Sequence, residues 1–153
     1  GVLNELSHEL SYAIKLFGPI KKVFAKLSNK NKKKINVETQ AKIICNTKSN
    51  IDLGIFINFL SSREERYCQI IGTKANLLLD FKKMNIHLDK KKILSIPKKN
   101  INQMYINHFN FFIKDKKDKT KIILDKFNNS VEVVKLINAI KISNKKNKIT
   151  RLN

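Results

Sequence analysis

The chain has 153 residues, of which 42% are hydrophobic, and it carries 32 Lys plus Arg against 12 Asp plus Glu. This length predicts a single domain, and the apolar content with its strong local periodicity excludes a disordered polycation. The longest stretch without a formal charge, residues 100–113, has 14 residues. A membrane-spanning helix needs about 20 mostly apolar residues. We therefore expect a globular, very basic domain with no membrane span and no signal peptide.

The net charge of +20 comes almost entirely from lysine, with 29 Lys against 3 Arg, beside 22 Ile and 19 Asn. Lys, Asn and Ile share A/T-rich codons, so a base-composition bias of the source genome explains much of the charge. Nucleic-acid sites favour arginine for bidentate contacts, whereas these lysines cluster between the periodic segments. We expect no specific nucleic-acid partner, and a basic nucleic-acid-binding domain is kept as a less favoured alternative.

An amphipathic helix is predicted over Gly1–Phe17, directly at the start of the sequence. Its apolar residues fall within one arc of about 100° on a helical wheel; they are Leu3, Leu6, Leu10, Ala13, Ile14 and Phe17. Gly18 and Pro19 should end this helix, because glycine accepts a left-handed backbone and proline cannot continue a helix. No initiator methionine or capping residue precedes it, so we expect the sequence to be cut from a longer polypeptide.

Alternation of apolar and polar residues predicts a run of strands after this helix. The predicted strands are Ile20–Ser28, Val37–Asn46, Ile51–Leu60, Arg66–Ile71, Asn76–Phe81, Asn85–Leu88 and Ile93–Ile96. A hairpin is predicted at Gly72–Ala75, between the fourth and the fifth strand. The second face of Ile51–Leu60 is mixed rather than polar, which indicates that another surface covers it. That face consists of Asp52, Gly54, Phe56, Asn58 and Leu60.

Two further helices are predicted in the last third of the chain. Apolar residues recur at spacings of three and four, at Ile101, Met104, Tyr105, His108, Phe109 and Phe112. After a charged loop at Lys114–Lys121, a third helix is predicted over Val131–Ile142, with Val133, Val134, Leu136, Ile137 and Ile140 as its apolar stripe. A short edge strand at Ile149–Leu152 ends the chain. This order predicts an α+β fold, a predominantly antiparallel open sheet with helices packed on one face.

His8 is the strongest candidate for chemistry because it points away from the apolar arc of the first helix. Polar residues flank it on the same outer face: Asn4, Glu5, Ser11, Tyr12 and Lys15. A histidine within one turn of a carboxylate and a phenol can act as a general acid or base near neutral pH. The same pattern also fits an ordinary solvated polar face of a helix. His87 has no distinctive neighbour, and His108 lies on the apolar stripe of its helix, where a half-buried histidine is expected.

Arg63 and Arg66 lie at a strand junction beside Glu64 and Glu65. Arginines in such a place can grip a carboxylate or phosphate group bidentately, or they can form ordinary surface ion pairs.

Other site classes have little support. Four glycines, at positions 1, 18, 54 and 72, cannot form a phosphate-binding loop, and no zinc-ligand spacing exists. Cys45 and Cys68 lie inside apolar strands, so we expect two buried, reduced thiols in a cytoplasmic protein. No metal site is predicted.

Several segments together resemble the C-terminal domain of the Gfo/Idh/MocA oxidoreductases, the family of glucose–fructose oxidoreductase and inositol dehydrogenase. The opening residues are the most specific, and the order of the elements agrees over essentially all 153 residues. The similar segments are GVLNELSHELSY at 1–12, LFGPI at 16–20, INFLS at 57–61, QIIGTK at 69–74, LLDF at 78–81 and SVEVVKLI at 130–137. Ser11 stands where the family has Asp, and the family's earlier acidic residue is represented by Glu5 or displaced to Asn4.

The resemblance implies that residues 1–153 form a substrate-binding and oligomerisation domain. In such enzymes a separate N-terminal Rossmann domain binds NAD or NADP, so this fragment alone would bind no cofactor and catalyse nothing. His8 matches the histidine that faces the nicotinamide during hydride transfer to or from a sugar or nucleotide-sugar. Asn4, Glu5, Tyr12 and Arg63 are the candidate substrate contacts, and a homo-oligomer is expected through the mixed sheet face. The alternative within this family is a non-catalytic scaffold or interaction domain.

Overall fold

The computed structural model describes residues 1–30, 36–95, 101–113 and 119–152. Contacts divide the chain into two compact units, the first formed by Gly1–Ser61 with Lys117–Asn153 and the second by Ser62–Lys116. Each unit contains its own four-stranded antiparallel sheet. The predicted α+β class with predominantly antiparallel strands is therefore confirmed. The sequence indicated one run of strands, and the structure divides that run between two sheets.

The first sheet, called sheet A below, has the strand order β3-β2-β1-β8. Its strands are β1 (Ile20–Ser28), β2 (Gln40–Thr47), β3 (Asp52–Asn58) and β8 (Thr150–Arg151). In the long central pairing Ala25 lies opposite Ile43, and Ile43 lies opposite Ile55. The two-residue β8 pairs with the start of β1 and confirms the short terminal strand.

Two helices cover one face of sheet A and form the core of the first unit with it. These are α2 (Ser7–Phe17) and α4 (Lys119–Lys146). The alternation of each strand turns every second side chain toward these helices, and those side chains are buried. The buried cluster contains Val2, Leu3, Leu10, Ile14, Ile20, Val23, Ala25, Ala41, Ile43, Cys45, Ile57, Val133, Leu136, Ala139 and Ile140. The predicted packing of helices on one sheet face is confirmed here.

The predicted first helix is interrupted. A separate short helix, α1 (Val2–Glu5), precedes α2, and Leu6 between them has φ −102° and ψ 26°, outside helical geometry. Glu38, just before β2, fixes α1 from the side: its carbonyl oxygen accepts the Val2 N–H at 2.9 Å, and its Oε1 accepts the Leu3 N–H at 3.4 Å. This long-range anchor sets the direction of α1 independently of α2. The predicted end of α2 is confirmed at Gly18, whose φ is 89°.

The last helix is much longer than the predicted Val131–Ile142. Residues 119–121 of the predicted charged loop belong to α4, and residues 114–118 of that loop lie outside the described residues. Lysine has good helix propensity, so a lysine-rich stretch is compatible with a helix. Val134, which was predicted on the buried stripe, is 58% exposed, because Val133 and Leu136 face the core instead.

The second unit contains a meander of four short strands, ordered β4-β5-β6-β7, and one helix. They are β4 (Tyr67–Ile71), β5 (Asn76–Asp80), β6 (Asn85–Leu88), β7 (Lys91–Ser95) and α3 (Ile101–Ile113). The predicted hairpin is confirmed, with Ile71 opposite Asn76 and the Gly72 N–H donating to the Ala75 carbonyl at 3.1 Å. The predicted last strand began at Ile93, but pairing with β6 already starts at Lys91.

The two cysteines are both free thiols, in different environments. Cys45 on β2 is only 3% exposed. Burial raises the pKa of its thiol to about 11, and the Asp52 carboxylate adds to the rise. Cys68 on β4 is half-buried rather than buried as expected, and partial burial raises the pKa of its thiol less strongly. The protonated thiol is the favoured form of both cysteines near neutral pH.

Side chains from the end of α4 complete the outer edge of β1, where the short β8 stops. The Ala25 N–H donates to Ser143 Oγ at 3.1 Å, and the Leu27 N–H donates to Asn144 Oδ1 at 2.8 Å. The Ser143 hydroxyl in turn donates to the Lys148 carbonyl at 2.7 Å, although its residue is fully buried. These bonds satisfy strand N–H groups that would otherwise be open to pairing with another strand.

We predict that Ser143→Ala lowers the free energy of unfolding by about 1–3 kcal/mol, since it leaves a buried N–H and a carbonyl without this partner. Urea denaturation followed by circular dichroism measures the change. Ser130→Ala is the matched control, because the exposed Ser130 hydroxyl donates only to the Lys126 carbonyl of the same helix. Equal effects of the two substitutions would contradict the structural role of Ser143.

Candidate functional site

Helix α2 presents His8 outward because its opposite side is fixed in the core. Leu10, Ala13 and Ile14 are at most 6% exposed, and they hold α2 against sheet A and α4. The His8 side chain is 55% exposed. The outward direction predicted from the helical wheel is therefore confirmed for this residue. An exposed imidazole on a rigid helix can exchange a proton with a bound molecule.

The carboxylate beside His8 belongs to Glu9, which the sequence reasoning did not select. His8 Nε2 lies 3.1 Å from Glu9 Oε1, and the Glu9 side chain is only 12% exposed. Consecutive residues of a helix point about 100° apart, so a wheel does not pair them. The long glutamate side chain nevertheless reaches back to the ring. A carboxylate in this place orients the imidazole and stabilises its protonated form electrostatically.

Ser11, one turn after His8, connects α2 to α4. Asn129 Nδ2 on α4 donates a hydrogen bond to Ser11 Oγ at 2.6 Å, and both residues are half-buried. The two residues are 118 positions apart, so nothing in the local sequence could have paired them. This bond joins the functional face of α2 to the helix that carries most of the core.

The other predicted site residues of the first unit are divided between the two short helices. Asn4 and Glu5 lie on α1 and are exposed, whereas Tyr12 lies on α2 and is half-buried. The turn at Leu6 separates them, so the helical wheel that grouped Asn4 and Glu5 with His8 does not describe their real directions.

Arg63 lies in the second unit, at an exposed bend before β4. The predicted contact of the arginines there with neighbouring glutamates is not what organises this segment. The Arg66 guanidinium stacks over the Phe81 ring at 5.0 Å. Glu64 forms its ion pair with Lys82, whose hydrogen bond and charge lower the pKa of the Glu64 carboxyl.

The remaining candidates do not add a second centre. His108 on α3 is exposed instead of half-buried as expected. Among the described residues, no group of three or more His, Cys, Asp and Glu side chains is placed to hold a metal ion. Within that part of the chain, no helix is both long and apolar enough to cross a membrane.

We predict that Asn129→Ala lowers the free energy of unfolding by about 0.5–1.5 kcal/mol, the usual value of one partly buried hydrogen bond. The neighbouring Asn128→Ala is the matched control, because Asn128 is exposed on the same helix and its loss should change stability by less than about 0.5 kcal/mol. Chemical denaturation of both variants gives the comparison. If they are equally stable, the Ser11–Asn129 bond does not contribute to holding α2.

Comparison with known proteins places this geometry in a family. Residues 1–78, which include α2 and sheet A up to β3, match the GFO/IDH/MocA C-terminal domain family. No curated protein sequence matches significantly.

Solved structures with the same fold cover nearly the whole chain. Levoglucosan dehydrogenase in complex with NADH and levoglucosan has a TM-score of 0.78 at 13% identity, over 99% of this chain and 50% of the enzyme. An NAD binding oxidoreductase from Klebsiella pneumoniae has a TM-score of 0.77 at 15% identity, over 96% and 49%. The WlbA dehydrogenase from Bordetella pertussis, in complex with NADH and UDP-GlcNAcA, has 0.67 at 16%, over 98% and 44%.

The chain thus spans about half the length of these dehydrogenases while covering almost all of its own. At these identities the likeness concerns the fold, and the family match over the first 78 residues identifies the sequence. This chain belongs to the Gfo/Idh/MocA oxidoreductase family, as a C-terminal domain.

Proposed function

We propose that residues 1–153 are the substrate-binding and oligomerisation half of a cytoplasmic NAD(P)-dependent oxidoreductase that acts on a sugar or nucleotide-sugar. The family match across the helix that carries His8 is the observation that supports this most directly. The similar structures add weight, since one is a levoglucosan dehydrogenase and another was solved with UDP-GlcNAcA, both with NADH.

The dinucleotide would be held by a separate N-terminal domain, because this chain has four scattered glycines and no phosphate-binding loop. Its nicotinamide would accept or supply the hydride. We therefore infer that this half is inactive alone and contributes proton transfer and substrate contacts. Glycine-poor sequence around α2 leaves that helix free to present side chains rather than to bind phosphate.

His8 is the proposed acid–base residue. When a sugar hydroxyl is oxidised, its carbon loses a hydride and its oxygen loses a proton, and the exposed imidazole can take that proton. Glu9, 3.1 Å from Nε2, would stabilise the resulting imidazolium. In the reverse direction the same ring returns the proton to the carbonyl oxygen. Ser11, in the place of the family's Asp, would contribute through its bond with Asn129 rather than through a charge.

The proposed substrate contacts are Asn4, Glu5, Tyr12 and Arg63. Asn4 and Glu5 are exposed on α1 and offer amide and carboxylate groups to sugar hydroxyls. Tyr12 lies one turn beyond His8 on the same helix. Arg63, at its exposed bend, would suit an anionic group such as the phosphate or carboxylate of a nucleotide-sugar.

We predict that His8→Asn, made in the polypeptide that includes the N-terminal domain, lowers kcat at least about a hundredfold, the usual contribution of a general acid or base. Asparagine keeps the size and polarity of the ring but cannot exchange the proton. His108→Asn on α3 is the matched control and should leave kcat within about twofold. A turnover rate for His8→Asn close to that of the parent would exclude His8 from the reaction.

The upstream reading frame distinguishes the enzyme from a non-catalytic scaffold of the same family. A strand followed by a glycine-rich turn before Gly1 supports the enzyme. An immediate start codon supports the scaffold.

We also propose a homo-oligomer through the side of sheet A that faces away from the helices. Two large apolar side chains are exposed there, Ile44 at 65% and Phe56 at 56%. They lie on neighbouring strands, β2 and β3, at the centre of the sheet. Exposed apolar side chains grouped on a regular surface are typical of protein interfaces.

We predict that the protein is a dimer or larger by analytical ultracentrifugation, and that Phe56→Asp shifts it to the monomer because it buries a charge in the interface. Phe127→Asp on α4 is the matched control, since Phe127 is similarly exposed at 63% but lies on the helix. A monomeric parent protein at high concentration, or an oligomer that tolerates Phe56→Asp, would exclude this surface.

A further inference from the structure

The side of sheet A opposite the helices, called the open face below, is arranged in rows that the strand registers define. Each row contains one residue each from β1, β2 and β3. The three rows with charged or large apolar residues are Lys22–Asn46–Asp52, Phe24–Ile44–Gly54 and Lys26–Lys42–Phe56. β2 is the middle of the three long strands, so β1 and β3 lie at equal distances on its two sides, about 4.8 Å each.

We propose that a second copy of this chain packs on the open face about a two-fold axis that runs parallel to the strands over β2. This pairing rests on the proposed oligomer and specifies its symmetry and contacts. Such a rotation exchanges β1 with β3 and leaves each row in place. Residues of one row in the first copy therefore meet residues of the same row in the second, across the spacing of about 10 Å typical of packed sheets.

Charge complementarity supports this axis in the first row. Asp52 is the one carboxylate among the described open-face positions of β1, β2 and β3, and it lies on β3. Lys22 lies in the same row on β1, so the rotation sets Asp52 of each copy opposite Lys22 of the other. Asn46 Nδ2 donates to Asp52 Oδ1 at 2.9 Å and thereby fixes the carboxylate in position. The pairing occurs twice in the dimer.

Shape complementarity supports the same axis in the second row. Phe24 on β1 is half-buried, and Gly54 is its counterpart on β3. Nothing lies within 4 Å of the place where a Cβ of Gly54 would be. The rotation places the Phe24 ring of one copy over this gap in the other, where a side chain on β3 would collide with it. Ile44 lies on the axis and meets its own copy in an apolar contact.

The third row gives a cation–aromatic contact and one unfavourable contact. The rotation sets Lys26 opposite the exposed Phe56 ring, a favourable arrangement for an ammonium group. Lys42 lies opposite Lys26 within one sheet and, on the axis, meets the Lys42 of the second copy. Its long side chain can turn its ammonium group toward water, which reduces this repulsion.

The other simple two-fold axis fits the residues poorly. An axis perpendicular to the strands through the second row would exchange the first row with the third. Lys22 would then lie opposite Lys26 in both halves of the interface, and Asp52 would lie opposite Phe56 with no cation to pair with. Like charges in contact disfavour an association, so the axis parallel to the strands is selected.

Exchanging the charges of the first row tests this pairing in the chain as it exists. Asp52→Lys alone and Lys22→Asp alone should each weaken the dimer at least about tenfold in Kd, and the double variant should return to within about threefold of the parent. Sedimentation equilibrium gives the three values. Lys141→Asp, an exposed residue of α4 with the same change of charge, should leave Kd unchanged. Recovery in the double variant would also show that the single variants are folded.

A mixing experiment tests the axis independently of Asp52. A chain with Lys42→Glu should pair with the parent chain at least about tenfold more tightly than with itself, because the axis brings position 42 of the two copies together. Equal self-association and cross-association would overturn the axis.

The outcomes separate this pairing from the proposed oligomer. A dimer that Phe56→Asp dissociates, but that the double charge exchange fails to restore, would overturn the pairing and leave the open face as the interface. A parent protein that is monomeric, or that ignores Phe56→Asp, would overturn both.

Discussion

The packing of α2 and α4 against one face of sheet A determines where the other features of the first unit lie. Leu10 and Ile14 on α2, with Leu136 and Ile140 on α4, are at most 6% exposed, so neither helix can rotate without opening the core. Once these residues are buried, the periods of helix and strand fix what remains outside. His8 is turned away from the core on α2, and Ile44 and Phe56 are turned away on the sheet. The proposed proton-transfer surface and the proposed interface are therefore two consequences of one core.

The core alone does not fix the ends of these elements, and polar side chains from distant parts of the chain do so. Glu38 holds the first turn of α1, Asn129 holds Ser11, and Ser143 satisfies the N–H of Ala25. Each of these polar groups is paired, and no described buried side-chain nitrogen or oxygen lacks a partner. A buried polar group without a partner costs free energy, so each of these contacts also excludes alternative positions of its helix. This matters most for α2, because a small rotation would redirect His8.

The features that the sequence predicted correctly are those that depend on local periodicity. The alternation in β1, β2 and β3, the stop at Gly18 and the hairpin at Gly72 are each encoded within a few residues. The features that the sequence missed depend on contacts between residues far apart. The turn at Leu6 follows from the anchor at Glu38, and the Ser11–Asn129 bond spans 118 positions. The length of α4 was missed because its first half buries no apolar stripe, since Ile123 and Phe127 are 54% and 63% exposed.

The same reasoning explains why the site was predicted only in part. The outward direction of His8 follows from the wheel, because Leu10 and Ile14 define the buried side of the helix on which it lies. Glu9 escapes the wheel, since its direction from the helix axis differs from that of His8 and only its length brings the carboxylate to Nε2. The lysine-rich composition likewise gives the wrong impression when it is read as a net charge of +20. On the open face one carboxylate, Asp52, is enough to decide between two ways of packing, because it is held in place by Asn46 and every competing arrangement brings lysines together. The position of that one acidic side chain is more informative about a partner than the sum of the basic ones.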